Sequence, residues 1–192
     1  MNEVFVLASA SPRRRTLLDE LGLKFMVVPS DIEEPEANGG PPHDHALAVS
    51  LEKALTVAEH YPDLWVLGAD TIVVVDEEIL GKPAGLQHAK HMLYKLSGRE
   101  HRVITGFCIM KKSANTMIRE YVESKVLFKN LAEDEITWYS ETDEPYDKAG
   151  AYAVQGKAAF FIREIHGSHT NVIGLPLTEV VTVLKKVGAI RF

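Results

Sequence analysis

"VFVLASASPRRRTLLDELG", residues 4–22, changes period in the middle, and that change decides the architecture. Val4 to Leu7 form a short apolar run, the pattern of a buried strand. Ser11 and Pro12 then open a helix. The serine can cap a free backbone N–H, and proline suits the first helical position, where an N–H would have no intrahelical partner. Leu17, Leu18 and Leu21 recur at helical spacing, and Gly22 fits a left-handed stop. The stretch therefore reads strand, tight turn, helix. Its electrostatics are unusual, because Arg13, Arg14 and Arg15 crowd the helix end that already carries partial positive charge. Each costs about 0.3–1 kcal/mol when exposed. A bound anion offsets that cost, and a helix N-terminus with added guanidinium groups is a phosphate site. A single such arginine would read as surface solvation; a cluster behind a strand and a Ser-Pro cap points to phosphate. The motif GxxxxGK[ST] is absent, which excludes a Walker-type nucleotide loop.

The remaining chain mixes strands and helices without a repeat. Residues 24–28 read as a strand, and 29–44 as a Pro-, Gly- and acid-rich loop near a site. Residues 45–60 read as a long helix. Residues 64–83 read as a strand continuing into a hairpin around Asp76 and Glu77, and 86–97 as a helix closed by Gly98. Residues 101–112 and 117–128 are expected to be two long strands joined by a polar turn. A helix is expected over 132–142, short strands at 159–165 and 170–175, and a closing helix over 177–187. The class is α/β with some antiparallel pairing, and residues 1–192 are expected to form one domain.

Of 192 residues, 46% are hydrophobic and 25% charged, which is ordinary for a globular protein. The formal net charge of -6 disfavours nucleic acid as the main partner. No apolar run approaches a membrane span, and the N-terminal stretch is too short and too acidic for a signal peptide, so a cytoplasmic location is expected. Cys108 is the sole cysteine, which excludes an internal disulfide; inside "VITGFCIM" it reads as a buried inert thiol.

Three further features carry chemistry. Asp70 follows the apolar run "LWVLGA" and is expected at the carboxyl end of a strand, where open α/β sheets place ligands. Lys82, in "GKP", lies beyond the hairpin and can return to the same edge. Glu33 and Glu34 offer further oxygen ligands for a metal. Residues 143–156, "DEPYDKAGAYAVQG", combine Asp147, Lys148 and Gln155 with small residues. His43 with His45, and His88 with His91, lack a third ligand nearby, so a histidine metal site is not expected. GxSxG is absent, which leaves Ser/His/Asp catalysis unsupported.

"SASPRRR", "GADTIVV" followed by "GKP", "LSGREHRVITG", "DKAGAYAVQG" and "VIGLPL" occur in an order that resembles the Maf-like nucleotide pyrophosphatases. The likeness covers nearly the whole chain. It departs from the family pattern at Arg15 and in a longer Pro/Gly loop at 38–42, which leaves the register of any acidic metal ligand open. The resemblance implies an elongated mixed β-sheet flanked by helices, two lobes around a central cleft, and often a homodimer. It implies hydrolysis of a nucleoside triphosphate between the α- and β-phosphates. The "AGAYAVQG" block resembles the subgroup acting on dTTP and UTP; a 7-methyl-GTP pyrophosphatase, or a septum-formation regulator with incidental nucleotide binding, are the alternatives. Carried over by position, Asp70 is the proton acceptor, and Arg13, Thr71 and Gln155 select the substrate. Ser9, Arg14, Lys53 and Lys82 are expected to contact it. Mg²⁺ or Mn²⁺ is expected on Asp70 with Glu33. Whether Asp70 acts as base or as metal ligand stays open in the sequence.

Overall fold

A computed structural model describes residues 4–33, 35 and 39–192. The opening stretch folds as its pattern dictates. β1 (Phe5–Ala8) is buried throughout, and α1 (Pro12–Glu20) starts on Pro12 with the Ser11 hydroxyl accepting from the Arg14 N–H at 3.5 Å. Gly22 takes the left-handed conformation (φ 67°) that turns the chain back. β2 (Phe25–Val27) then lies parallel to β1. α2 (Pro42–Ala58) starts ahead of the expected residue 45, because Pro42 itself fits the first turn. β3 (Val66–Val75) returns parallel to β1 on its other side.

The sheet runs β2-β1-β3 and continues with β5 (Glu100–Lys111), β6 (Thr116–Phe128) and β7 (Ile162–His166); β4 (Glu78–Leu80) pairs with β3 off this path. The chain thus leaves β1 to one side through α1 and reaches the other side through α2. Phe5 and Leu7 pack with Leu17 and Leu18 of α1, whereas Val6 and Ala8 pack with Ala54 and Val57 of α2. The period-2 alternation of β1 therefore sends the two helices to opposite faces. Each fully buried residue such as Phe5 or Leu18 contributes about 1.5–3 kcal/mol.

Two glycines set how closely α2 seats. A Cβ on Gly68 would stand 2.3 Å from the Ser50 carbonyl oxygen, and one on Gly106 would stand 2.5 Å from the Ala46 carbonyl carbon. Only bare backbone lets the helix approach this near.

β3 turns through Asp76 (φ 50°) and Glu77 (φ 61°) into β4 (Glu78–Leu80), a two-residue hairpin with both central residues left-handed. Arg99 and Arg102 hold the two carboxylates from the side at 2.5 and 2.6 Å. After α3 (Leu86–Leu96), β5 (Glu100–Lys111) and β6 (Thr116–Phe128) form a long antiparallel ladder in continuous register from Glu100↔Leu127 to Lys111↔Thr116. α4 (Glu133–Ser140) follows, then 3₁₀ turns at Glu144–Asp147, Ala149–Ala151 and Lys157–Phe161. β7 (Ile162–His166) adds to the end of β6, and α5 (His169–Ile173) and α6 (Leu177–Lys186) close the chain.

Two expected strands differ. The first half of 159–165 is a 3₁₀ turn, and 170–173, most of the second, is helical. Ser168 accepts from the Asn171 N–H at 3.2 Å and Gly174 ends the turn, so local capping outweighs a short apolar run whose period is ambiguous. Among the described residues no helix is long and apolar enough to cross a membrane.

Candidate active site

β1 stops at Ala8, whose partner is Gly68, while β3 runs on to Val75. Asp70 stands two residues past that last pairing, in the middle of β3 and not at its carboxyl end as expected. The strand that ends is β1, and its carboxyl end is where the chain switches sides, the place where open sheets leave a crevice. The crevice here is a cavity of about 420 Å³.

Alternation along β3 gives each face of that crevice its own chemistry. Gly68 and Asp70 face α2, and Lys53 of α2 donates from Nζ to Asp70 Oδ1 at 2.8 Å. Both residues are about nine-tenths buried, with 9% and 8% exposure. Because α2 rests directly on Gly68 and Gly106, an ordinary lysine reaches the carboxylate. A buried charge pair of this kind persists only with close geometry.

Thr71 points to the other face, toward α1. There Arg14 is turned inward and is 8% exposed. Its Nε donates to the Gly174 carbonyl at 2.8 Å, Nη1 to the Ala69 carbonyl at 2.8 Å and the Ser9 hydroxyl at 3.2 Å, and Nη2 to the Thr71 hydroxyl at 3.0 Å. The Thr71 and Thr105 hydroxyls are 2.9 Å apart. Arg14 thus ties α1, β3 and the end of α5 together, and it also lines the cavity in which phosphate contact was expected of it. Its place at the third helical residue sends the guanidinium back toward the sheet. Arg13 lines the cavity, part-exposed, 3.6 Å from Asp147. Arg15 faces solvent and pairs with Asp19 at 3.3 Å. One turn of arginines has three separate fates.

Lys82, just past β4, also lines the cavity, as do Ser9, Lys53, Thr71 and Gln155. Glu33 is exposed and is not among the residues lining the cavity. Glu34 lies outside the described residues. Among the described residues no group of three His, Cys, Asp or Glu side chains is placed to hold a metal ion. A single buried carboxylate still fits Mg²⁺, which takes one or two carboxylates and completes its shell with substrate phosphates and water.

The sequence singled out Lys148 but not Glu144, and both matter to the far wall. Lys148 lines the cavity and donates to the Glu144 carbonyl at 2.7 Å. His45 also lines it. His43 instead stacks on Tyr121 at 4.5 Å between ring centroids. Cys108 is buried against α2, and burial pushes its thiol up to about 12, which leaves it inert near neutral pH.

A family model described as Maf-like protein matches residues 4–187. The dTTP/UTP pyrophosphatase of Syntrophus aciditrophicus (strain SB) is 53% identical over 192 residues, covering 100% of this chain and 94% of that one. A dTTP/UTP pyrophosphatase of Geobacter sp. (strain M21) is 50% identical over 189 residues, covering 98% of each. The corresponding protein of Myxococcus xanthus (strain DK1622), with the same description, is 44% identical over 185 residues, 96% of this chain and 93% of that one. With the match spanning almost every element described above, the chain belongs to the Maf-like protein family.

Proposed function

We propose that this protein hydrolyses dTTP and UTP to the nucleoside monophosphate and pyrophosphate. The observation that carries the reading is the buried Asp70, held by Lys53 on the wall of a cavity that Arg13 and Lys82 also line. The descriptions of relatives about half identical to this chain support it. In the reaction a water oxygen bonds to the α-phosphorus and its proton passes to the Asp70 carboxylate. The bond from the α-phosphorus to the oxygen bridging to the β-phosphorus breaks, and that oxygen leaves with pyrophosphate. Lys53 fixes the carboxylate through the 2.8 Å contact. Arg13 and Lys82 bind phosphate oxygens through charge-assisted hydrogen bonds. A divalent cation such as Mg²⁺ or Mn²⁺, when bound, neutralises phosphate charge. Gln155 reads the base: its amide can accept from N3–H and donate to O4 of thymine or uracil.

The test is pyrophosphate release from a panel of dTTP, UTP, CTP, ATP, GTP and 7-methyl-GTP with Mg²⁺ or Mn²⁺. Fastest release from dTTP and UTP is expected. A purine or 7-methyl-GTP as best substrate would overturn the pyrimidine assignment, and no release from any member would overturn the hydrolase reading.

A further inference from the structure

Gln155 sits in an irregular segment, so its direction must come from outside that segment. Glu144 supplies it. Its Oε2 accepts from the Lys157 N–H at 2.9 Å, and its Oε1 accepts from the Ala158 N–H at 3.2 Å. The Tyr139 hydroxyl donates to the same Oε1 at 3.1 Å. Tyr139 is fully buried in α4. Burial first, and then the Glu144 carboxylate, push this phenol well above its usual range, so it remains a donor. One carboxylate, itself held by one phenol, therefore grips the chain at 157–158, two residues past Gln155. Between Gln155 and that grip, Gly156 takes φ 98°, and a Cβ there would stand 2.6 Å from Glu144 Oε2. The turn is pulled onto the carboxylate so closely that only glycine fits. The Glu144 carbonyl also accepts from Lys148, joining the grip to the cavity wall.

We infer that Glu144, backed by Tyr139, is a specificity-positioning residue. It fixes the direction in which Gln155 meets the base, so that pyrimidine preference depends on a side chain that never touches the nucleotide. An amide free to turn over pairs with either hydrogen-bonding pattern and selects less. This inference rests on the proposed reaction and on the role of Gln155 in it.

The experiment measures kcat and KM for dTTP, CTP and GTP on wild type, Glu144→Ala, Glu144→Gln and Tyr139→Phe, each with a melting curve. Glu144→Ala is expected to raise KM for dTTP and to narrow the preference for dTTP over CTP and GTP by about tenfold, with kcat far less affected. Glu144→Gln keeps one acceptor oxygen and should recover part of the preference; Tyr139→Phe, which keeps the ring, should lose a smaller part. Should Glu144→Ala fail to fold, the other two variants carry the test. Preference unchanged in the folded variants would overturn the inference, as would equal losses on all three nucleotides that track the melting temperature. A wild-type enzyme without pyrimidine preference would instead sink the substrate reading, before any variant is measured.

Discussion

The two walls of the cavity are built on different terms. On one side stand β1, α1, α2 and β3, regular elements whose backbone hydrogen bonds are made within the sheet and helices. On the other side residues 144–161 pass through three 3₁₀ turns and two left-handed glycines, Gly150 and Gly156. The regular wall carries Asp70, Lys53 and Arg13, whose positions follow from register and helix packing. The irregular wall carries Gln155, whose position follows from a few side-chain pegs. A phosphate group and a water molecule are the same in every nucleotide, so the wall that meets them gains from stiffness. Bases differ, and a pegged loop can be altered without disturbing the sheet.

If this division holds, damage on the regular wall removes rate and damage on the irregular wall removes discrimination. The largest effect is expected from Asp70→Asn. Asparagine keeps the size and the place on β3 but cannot accept the proton near neutral pH. Turnover should fall by about 10²–10⁴ through loss of the base alone. The comparison breaks if a folded Asp70→Asn enzyme keeps near-normal kcat, or if it changes nucleotide preference and not rate.

Neighbouring arginines give a sharper cut. Arg14→Ala strips donors from the buried carbonyls of Ala69 and Gly174 and from the Ser9 and Thr71 hydroxyls. The Gly174 carbonyl keeps the Thr71 hydroxyl as a donor at 3.2 Å, and a buried acceptor that loses its donor costs about 1–3 kcal/mol, so denaturant unfolding should show a loss of about 1–3 kcal/mol. Arg13→Ala should leave stability almost unchanged and lower kcat/KM by about 1.5–3 kcal/mol, the size of a charged hydrogen bond. Reversed outcomes, with Arg14 acting on turnover and Arg13 on folding, would refute the fates assigned to the α1 turn.

The same contrast governs what could be read in the sequence. The strand-turn-helix of 4–22 was legible because Ser11, Pro12 and Gly22 impose local geometry and the leucines repeat at helical spacing. Lys82 and the hairpin at Asp76–Glu77 were legible for the same local reasons, but Asp70 was expected at the end of its strand and stands in the middle of β3. The inward turn of Arg14 was not, because its acceptors at 69 and 174 come together only when β3 and α5 are in place. Nor was the absence of Glu33 from the cavity, since composition does not tell a site loop from a solvated one. α5 was misread as a strand, since a five-residue helix repeats too little to show its period and only Ser168 marked it. Glu144 carried no signal at all: its partners, 139, 157 and 158, are joined by a fold without periodicity.

The seam between the walls predicts a pH dependence. His101 of β5 and Tyr152 of the irregular wall meet at 2.7 Å from Nε2 to hydroxyl, packed edge-on with Phe128. Burial lowers the His101 pKa to about 3, from an ordinary value near 6.5. The unfolded chain therefore binds a proton below about pH 6.5 that the folded chain refuses. Stability contributed by neutral His101 is complete above that pH and is lost as pH falls toward 3. Between about pH 6.5 and 4.5, before carboxylates titrate, the loss approaches 1.4 kcal/mol per pH unit. Urea titrations across that window should show the slope in wild type and a flatter line in His101→Gln. Equal slopes would show that the seam does not respond to acid.

The smallest effect is expected at the third arginine, and it tests whether the crowding of charge in α1 serves only the inner two. Arg15 and Asp19 form an exposed i,i+4 pair at 3.3 Å, in the order that opposes the helix dipole. Such a pair contributes about 0.3–0.5 kcal/mol, while a cation in the first turn costs about 0.3–1 kcal/mol. The two nearly cancel. Arg15→Ala should therefore change stability by less than about 0.5 kcal/mol and should leave kcat/KM alone. Raising the salt concentration should shrink even that difference, because both contributions are screened. A clear loss of activity in Arg15→Ala would mean that the phosphate field extends around the whole turn, and the separation of Arg13 from its neighbours would have to be abandoned.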